Sequence, residues 1–271
     1  MSRSSSALFF LGLATLPTCI LSPGCQFGPA RHRETRTLER PHQEGGSLAV
    51  HTVNGAIRVR RDQAEAVTIR ARIAALTRER LEGVEVLAER DPGGLLTIEA
   101  RWPAPGRRNN EGCSFEVTLP GAKGVVLETR NGAIHLEGLE GRARLATSNG
   151  GVRVPSHRGS LEIETSNGSV QARVPAGPVR VRTSNGSVTV AAGTGPVEVE
   201  TSNGGVRLTA GPAFAGELAL STSNGRIDLP DRELVEVLRK SRNRVRLRLG
   251  RGNGESRIAT TNGSILVRRG G

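Results

Sequence analysis

Apolar residues alternate with polar ones along most of this 271-residue chain, and the alternation comes in pairs of short runs. Aligned on a recurring Thr-x-Asn-Gly unit, apolar residues fall six and four before the Asn and three and five after it. The first two rows read Val125, Ala143, Leu161, Val179, Val197, Leu218 and Leu127, Leu145, Ile163, Val181, Val199, Leu220. The second two read Ile134, Val152, Val170, Val188, Val206, Ile227 and Leu136, Val154, Ala172, Val190, Leu208, Leu229. A period of two is that of a strand with one buried face, so each unit predicts two strands around a turn. The Asn-Gly dipeptide between them reads as a turn that needs positive φ.

The anchoring residues are Asn54, Asn131, Asn149, Asn167, Asn185, Asn203, Asn224 and Asn262. From Asn131 to Asn203 they recur every 18 residues, and the next steps are 21 and 38. Repetition at a fixed period of this size predicts stacked repeats, each burying its apolar face on the next. The expected fold is all-β: a two-sheeted β-solenoid with coils of 18 residues, an antiparallel meander or sandwich being the alternative. The outward charges favour the solenoid. Five before the Asn stand Arg144, Glu162, Arg180 and Glu198; three before it, Glu164, Arg182 and Glu200. Stacked in parallel, their signs alternate, and opposite charges on adjacent strands stabilise where like charges repel. The Asn side chains are expected to form a ladder, amide to amide, from coil to coil.

The remainder divides around this array. Residues 47–120 read as an irregular β-rich capping half, with a short helix near 76–81 and strands near 84–88, 95–100 and 114–119. Trp102 and Phe115 lie there. Residues 121–268 are the repeat solenoid. Pro230-Asp231 suggests a helix over 232–240. Alternation resumes at 245–249, and residues 260–267 are expected to supply the last coil. The Arg-rich segment from Arg239 to Arg251 is read as an end cap that discourages edge pairing.

Residues 7–21 form an apolar run of signal-peptide length, too short for a comfortable membrane span. It ends at Ser22-Pro23-Gly24-Cys25, which resembles a lipobox with Cys25 as the lipidated residue. Leu21 stands four before the cysteine rather than three, so ordinary signal-peptidase cleavage stays open. Residues 26–46 are polar and aperiodic and read as a flexible tether. These features predict an exported, envelope-associated bacterial protein held to a membrane by lipid.

Composition narrows the function. The net charge is +12, carried almost wholly by arginine, which favours polyanions: anionic polysaccharide, acidic lipid or another envelope protein. Aromatics are 2% of the chain, and the absence of base-stacking side chains argues against nucleic acid. No cofactor fingerprint or calcium repeat occurs. His32, His42, His51, His135 and His157 have no ligand spacing and are expected on the solvated surface; no metal is expected. Cys113 sits in an alternating run and reads as a small buried hydrophobe. Glu162/Glu164 and Glu198/Glu200 are spaced like glycosidase carboxylates, but Arg180 and Arg182 stand between them, so no catalytic residue is assigned. Four after the Asn the row is Arg58, His135, Arg153, Gln171, Thr189, Arg207 and Asp228, too varied for an ice-binding face.

The units Thr-Ser-Asn-Gly-Gly/Ser-Val, the stretch 115–138 and the closing 258–267 resemble a bacterial adhesin-type domain family of unknown function built of β-strand repeats. The resemblance spans roughly 47–268. It implies a non-catalytic, adhesin-like binding or scaffold protein and supplies no catalytic residues. The alternatives are a carbohydrate-active enzyme on a β-helix and an accessory domain in envelope-stress signalling.

Overall fold

The computed structural model describes residues 30, 32–229 and 235–270. The expectations for the apolar leader and Cys25 lie outside these residues. The chain before the array forms β1 (His32–Pro41), β2 (Ser47–His51), β3 (Ile57–Arg61), β4 (Ala66–Ala75) and α1 (Arg78–Glu82). It continues through β5 (Glu85–Arg90), β6 (Leu95–Arg101) and β7 (Gly112–Leu119). The regular array follows in pairs, one strand on each side of the Asn turn. They are β8/β9 (Gly124–Asn131, Ile134–Glu140), β10/β11 (Arg142–Asn149, Val152–Arg158) and β12/β13 (Leu161–Asn167, Val170–Val174). Next come β14/β15 (Val179–Asn185, Val188–Ala192), β16/β17 (Val197–Asn203, Val206–Ala210) and β18/β19 (Gly216–Asn224, Ile227–Asp228). A hairpin, β20 (Glu236–Lys240) and β21 (Arg244–Leu249), precedes the closing pair β22/β23 (Glu255–Asn262, Ile265–Arg269).

The strands build two sheets, and the array is a two-sheeted, mostly parallel β-solenoid. Sheet A runs β1-β4-β7-β3-β9-β11-β13-β15-β17-β23-β19, and sheet B runs β20-β21-β18-β22-β16-β14-β12-β10-β8-β2-β6-β5. Registers are in phase with the repeat: Leu161 opposes Val179, and Asn167 opposes Asn185. The aligned apolar rows face inward and are almost wholly buried, from Val125 and Leu127 through Val197 and Val199. The slab between the sheets is filled with Val, Ile, Leu and Ala. Phe115 and Phe214, both buried, stand towards its two ends.

The last coil is not the last rung. β22 lies between β16 and β18, and β23 between β17 and β19. The chain leaves β17, passes over one vacant level to lay down β18/β19, makes the capping hairpin, and returns to fill the level it skipped. The spacings of 21 and 38 residues are the trace of this detour.

Two further expectations change. Residues 236–240 are not helical; they pair antiparallel with β21, which offers an open sheet edge. Residues 231–234 lie outside the described residues. Residues 32–41 of the expected tether are instead the strand β1, paired with β4 throughout its length. Leu38 packs on the core, and the Arg36 guanidinium donates to the carbonyls of Leu81, in the last turn of α1, and of Val84 just after it. Antiparallel strands thus close the first end of both sheets and the far end of sheet B, covering edges that would otherwise invite further pairing, while sheet A ends in the two-residue parallel strand β19.

Candidate functional site

The Asn turns line up along the stack. Each Asn side-chain amide donates to the Asn carbonyl oxygen of the coil before it, from Asn131 onto Asn54 at 2.7 Å to Asn203 onto Asn185 at 2.8 Å. Asn262 donates to Asn203 and Asn224 to Asn262, so the ladder crosses the inserted coil unbroken. Asn149, Asn167 and Asn185 bond in the same way. At the other end Asn54 donates to the carbonyls of Asn109 and Glu111. Two before most of these Asn residues, a buried Thr caps the glycine carbonyl of a neighbouring coil, as Thr147 does to Gly132 at 3.0 Å. Thr183 is buried with its hydroxyl unpartnered, and Thr52 donates to the Cys113 carbonyl instead.

The glycines of these turns serve close approach rather than positive φ. Within the array, Asn-Gly glycines such as Gly168 avoid the left-handed region. A Cβ on Gly168 would lie 1.9 Å from the Gly150 carbonyl oxygen. Positive φ belongs to the opposite turn, at Gly177 for instance, with φ 117°.

The outer face of sheet B carries the alternating charges. Arg144 opposes Glu162, Glu162 opposes Arg180, and Arg180 opposes Glu198 in register. Glu164, Arg182 and Glu200 form the parallel row. Arg180 Nε donates to Glu198 at 2.7 Å, Arg182 reaches Glu200 at 3.4 Å, and Arg144 reaches Glu164 diagonally at 3.4 Å. The hydrogen bond to Glu198 raises the affinity of Arg180 for its proton. A groove of about 960 Å³ runs beside this row and the Asn turns, floored by hydroxyls such as Ser148, Ser166, Ser184 and Ser202.

Sheet A differs. Strands β11, β13, β15, β17 and β23 contain no aspartate or glutamate. Arg153, Arg173, Arg207 and Arg268 are exposed there, and none makes an ion pair or side-chain hydrogen bond among the described residues. Towards the first end, Arg58 and Arg60 on β3 oppose Glu116 and Glu137 in register. The outward row four after the Asn was read for its lack of uniformity. The signal it held is that no acid stands in it from Arg153 to Arg207, Asp228 coming only on the short edge strand β19.

A buried ion pair at the first end has no sequence signature, its partners being 31 residues apart. Arg80 binds Glu111 through both carboxylate oxygens at 2.7 Å. Glu111 also accepts from the amides of Arg108 and Leu76. Burial pushes the Glu111 carboxyl up, but Arg80 and these amides outweigh it and hold the group below the usual carboxylate range. Cys113 is buried, and desolvation pushes its thiol up to about 12, so it stays protonated. His157 departs from the expected solvated surface. It is buried in β11, with Nε2 3.2 Å from the Gly141 carbonyl, and desolvation lowers its pKa. Among the described residues no cluster of His, Cys, Asp or Glu could hold a metal ion, and no helix is long and apolar enough to cross a membrane.

No family model matches the sequence, and no curated protein matches it. Solved bacterial structures do resemble it. A "putative adhesin" from Bacteroides fragilis is 13% identical, with a TM-score of 0.46 over 88% of this chain and 98% of that one. A "putative cell adhesion protein" from Clostridium sporogenes is 11% identical, TM-score 0.33, over 88% and 100%. A "putative lipid binding protein" from Parabacteroides distasonis is 11% identical, TM-score 0.34, over 88% and 98%. The adhesin name read from the repeat motifs thus recurs among these structures, and the likeness assigns no role to any residue here.

Proposed function

We propose that the protein is a non-catalytic, adhesin-like binding protein of the bacterial envelope, anchored through lipid on Cys25, that engages polyanionic surfaces. The observation that carries this reading is the unlike pairing of charge on the two faces through the middle coils. On sheet B, Arg144, Arg180 and Arg182 are each met by a glutamate. On sheet A, Arg153, Arg173, Arg207 and Arg268, spread over five neighbouring strands that carry no acid, make no ion pair among the described residues. Unpaired cations on a rigid face attract and hold anions in a salt-sensitive way.

The enzyme alternative fares worse on the same geometry. Glycoside hydrolysis needs one carboxyl held protonated while its neighbour is ionised. Glu198 and Glu200 are each already engaged by arginines of the neighbouring strand, Arg180 and Arg182, and stand as ion-pair partners in the charge row.

The test is binding of the full chain to polygalacturonate and to phosphatidylglycerol vesicles at low and high salt. Binding to at least one of them should weaken by about tenfold or more between roughly 0.05 and 0.5 M NaCl, with neutral dextran inert. No salt-sensitive binding to either would overturn the proposal.

A further inference from the structure

We infer that the acid-free stretch of sheet A is the binding site, and that its occupant is a linear acidic polysaccharide lying along the solenoid axis with widely spaced charges. The inference rests on the polyanion reading and names its site and ligand class. Arg153 on β11 and Arg173 on β13 sit on adjacent strands, as do Arg207 on β17 and Arg268 on β23. Two cationic pairs result. Arg207 is three strands from Arg153, through β13 and β15, and Arg268 is three strands from Arg173, through β15 and β17. At about 4.8 Å per strand that separation is about 14 Å.

The nearest members of the two pairs, Arg173 and Arg207, stand two strands apart, about 10 Å along the axis. This exceeds the screening length of about 8 Å at physiological salt, so each pair holds its own anion rather than sharing one. Between the pairs the outward side chains are neutral. Gln171 and Thr189 offer hydrogen bonds, and Ala191 leaves the surface low. A chain bearing hydroxyls between sparse acidic groups matches that order of chemistry. A lipid surface matches it less well. The exposed large hydrophobics of the described residues, Val53, Val237 and Leu238, lie elsewhere. No side chain of this stretch is both exposed and apolar enough to enter a bilayer interface, which is what strengthens a charge-only contact.

Two pairs on one rigid face predict a length threshold. An oligosaccharide that reaches both should bind much more tightly than one that reaches a single pair, because the second contact is intramolecular. The probes are hyaluronan oligosaccharides of graded length, with one carboxylate per two sugars, titrated against the full chain by calorimetry. The expected result is a rise in affinity of about tenfold or more once the oligomer spans both pairs, then a plateau. In a double variant, Arg207→Gln with Arg268→Gln, long and short oligomers should bind alike. Arg180→Gln on sheet B should leave the threshold in place, and unchanged thermal midpoints would show that both variants fold. A threshold that persists in the double variant would overturn the inference. So would binding to phosphatidylglycerol vesicles with no binding to oligosaccharides of any length. In either case salt-sensitive polyanion binding by the native chain would leave the broader proposal standing, whereas its complete absence would remove both.

Discussion

At the residue scale the turn positions are set by how closely coils stack. Gly168 packs its Cα against the Gly150 carbonyl so tightly that a methyl group has no room. Gly168→Ala should therefore force the backbone apart and destabilise the fold by about 1–3 kcal/mol, read as a lower urea midpoint. Thr147→Val is a milder test. It removes the hydroxyl that caps the Gly132 carbonyl and should cost about 1 kcal/mol. Glu111→Gln strikes the buried pair and leaves Arg80 without its counter-charge, for a loss of about 3–5 kcal/mol. The pH dependence has a definite sign. The Glu111 carboxyl is depressed in the folded protein, so its contribution is full above the ordinary carboxylate pKa and fades as pH falls through the depressed value. His157 adds a second acid-side loss. Its folded pKa is lowered, so the unfolded chain takes up the proton first, and stability drops as pH falls below about 6.5. Acid titration of the native protein should show both losses, and Glu111→Gln should abolish the lower one.

At the scale of the element, the coil was legible in the sequence because its residues answer to one constraint each. Inward rows are aliphatic, Asn falls where its amide meets the Asn side chain one coil away, Thr falls where a glycine carbonyl needs a partner, and outward signs alternate. What was not legible depends on elements that lack the period. β1 is polar on nearly every side and reads as tether; what ties it down is its ladder with β4, the packing of Leu38 and the reach of Arg36 and Arg40 to backbone carbonyls. The segment at 236–240 has no strand signature strong enough to outweigh its helical one, and its pairing is decided by the edge that β21 leaves open. Arg80 and Glu111 meet only through the path of the chain around α1. The Asn ladder also predicts where the protein ages. Deamidation needs the amide nitrogen of the following residue to attack the Asn side-chain carbonyl, with loss of ammonia and later entry of water. Within the ladder that nitrogen is engaged, as when Gly150 donates to the Asn167 carbonyl. Asn224 ends the ladder: its side-chain oxygen accepts no bond from another Asn, and no partner is recorded for the Gly225 amide. Peptide mapping after prolonged incubation at mildly alkaline pH should find isoaspartate at Asn224 and at Asn253-Gly254 in the exposed loop before β22, with Asn149 and Asn167 intact until the protein unfolds.

At the scale of the whole molecule, the inserted coil joins the end of the chain to the middle of the stack. In a solenoid laid down in order, losing the last coil exposes one new edge and leaves the rest largely unaffected, because each repeat touches only its neighbours. Here the last coil is a neighbour to β16/β17 on one side and β18/β19 on the other. Truncation after residue 254 would leave an empty level, with Asn203 and Asn224 both losing their partner Asn262. The coil β18/β19 and the hairpin β20–β21 would then have no parallel strand to rest on. Their loss should be cooperative, so that the truncated chain loses protection from amide exchange across 216–249 and not merely at its new terminus. A point variant gives the same reading without shortening the chain. Ile258 is fully buried between Val199 and Leu220, and Ile258→Ala should cost about 2–5 kcal/mol. Its partial unfolding, followed by exchange, should open 216–249 together with 255–269, while 124–203 stays protected. If the exchange instead opened at 255–269 alone, the level would be dispensable to its neighbours, and the detour of the chain would have no part in holding the far end of the solenoid.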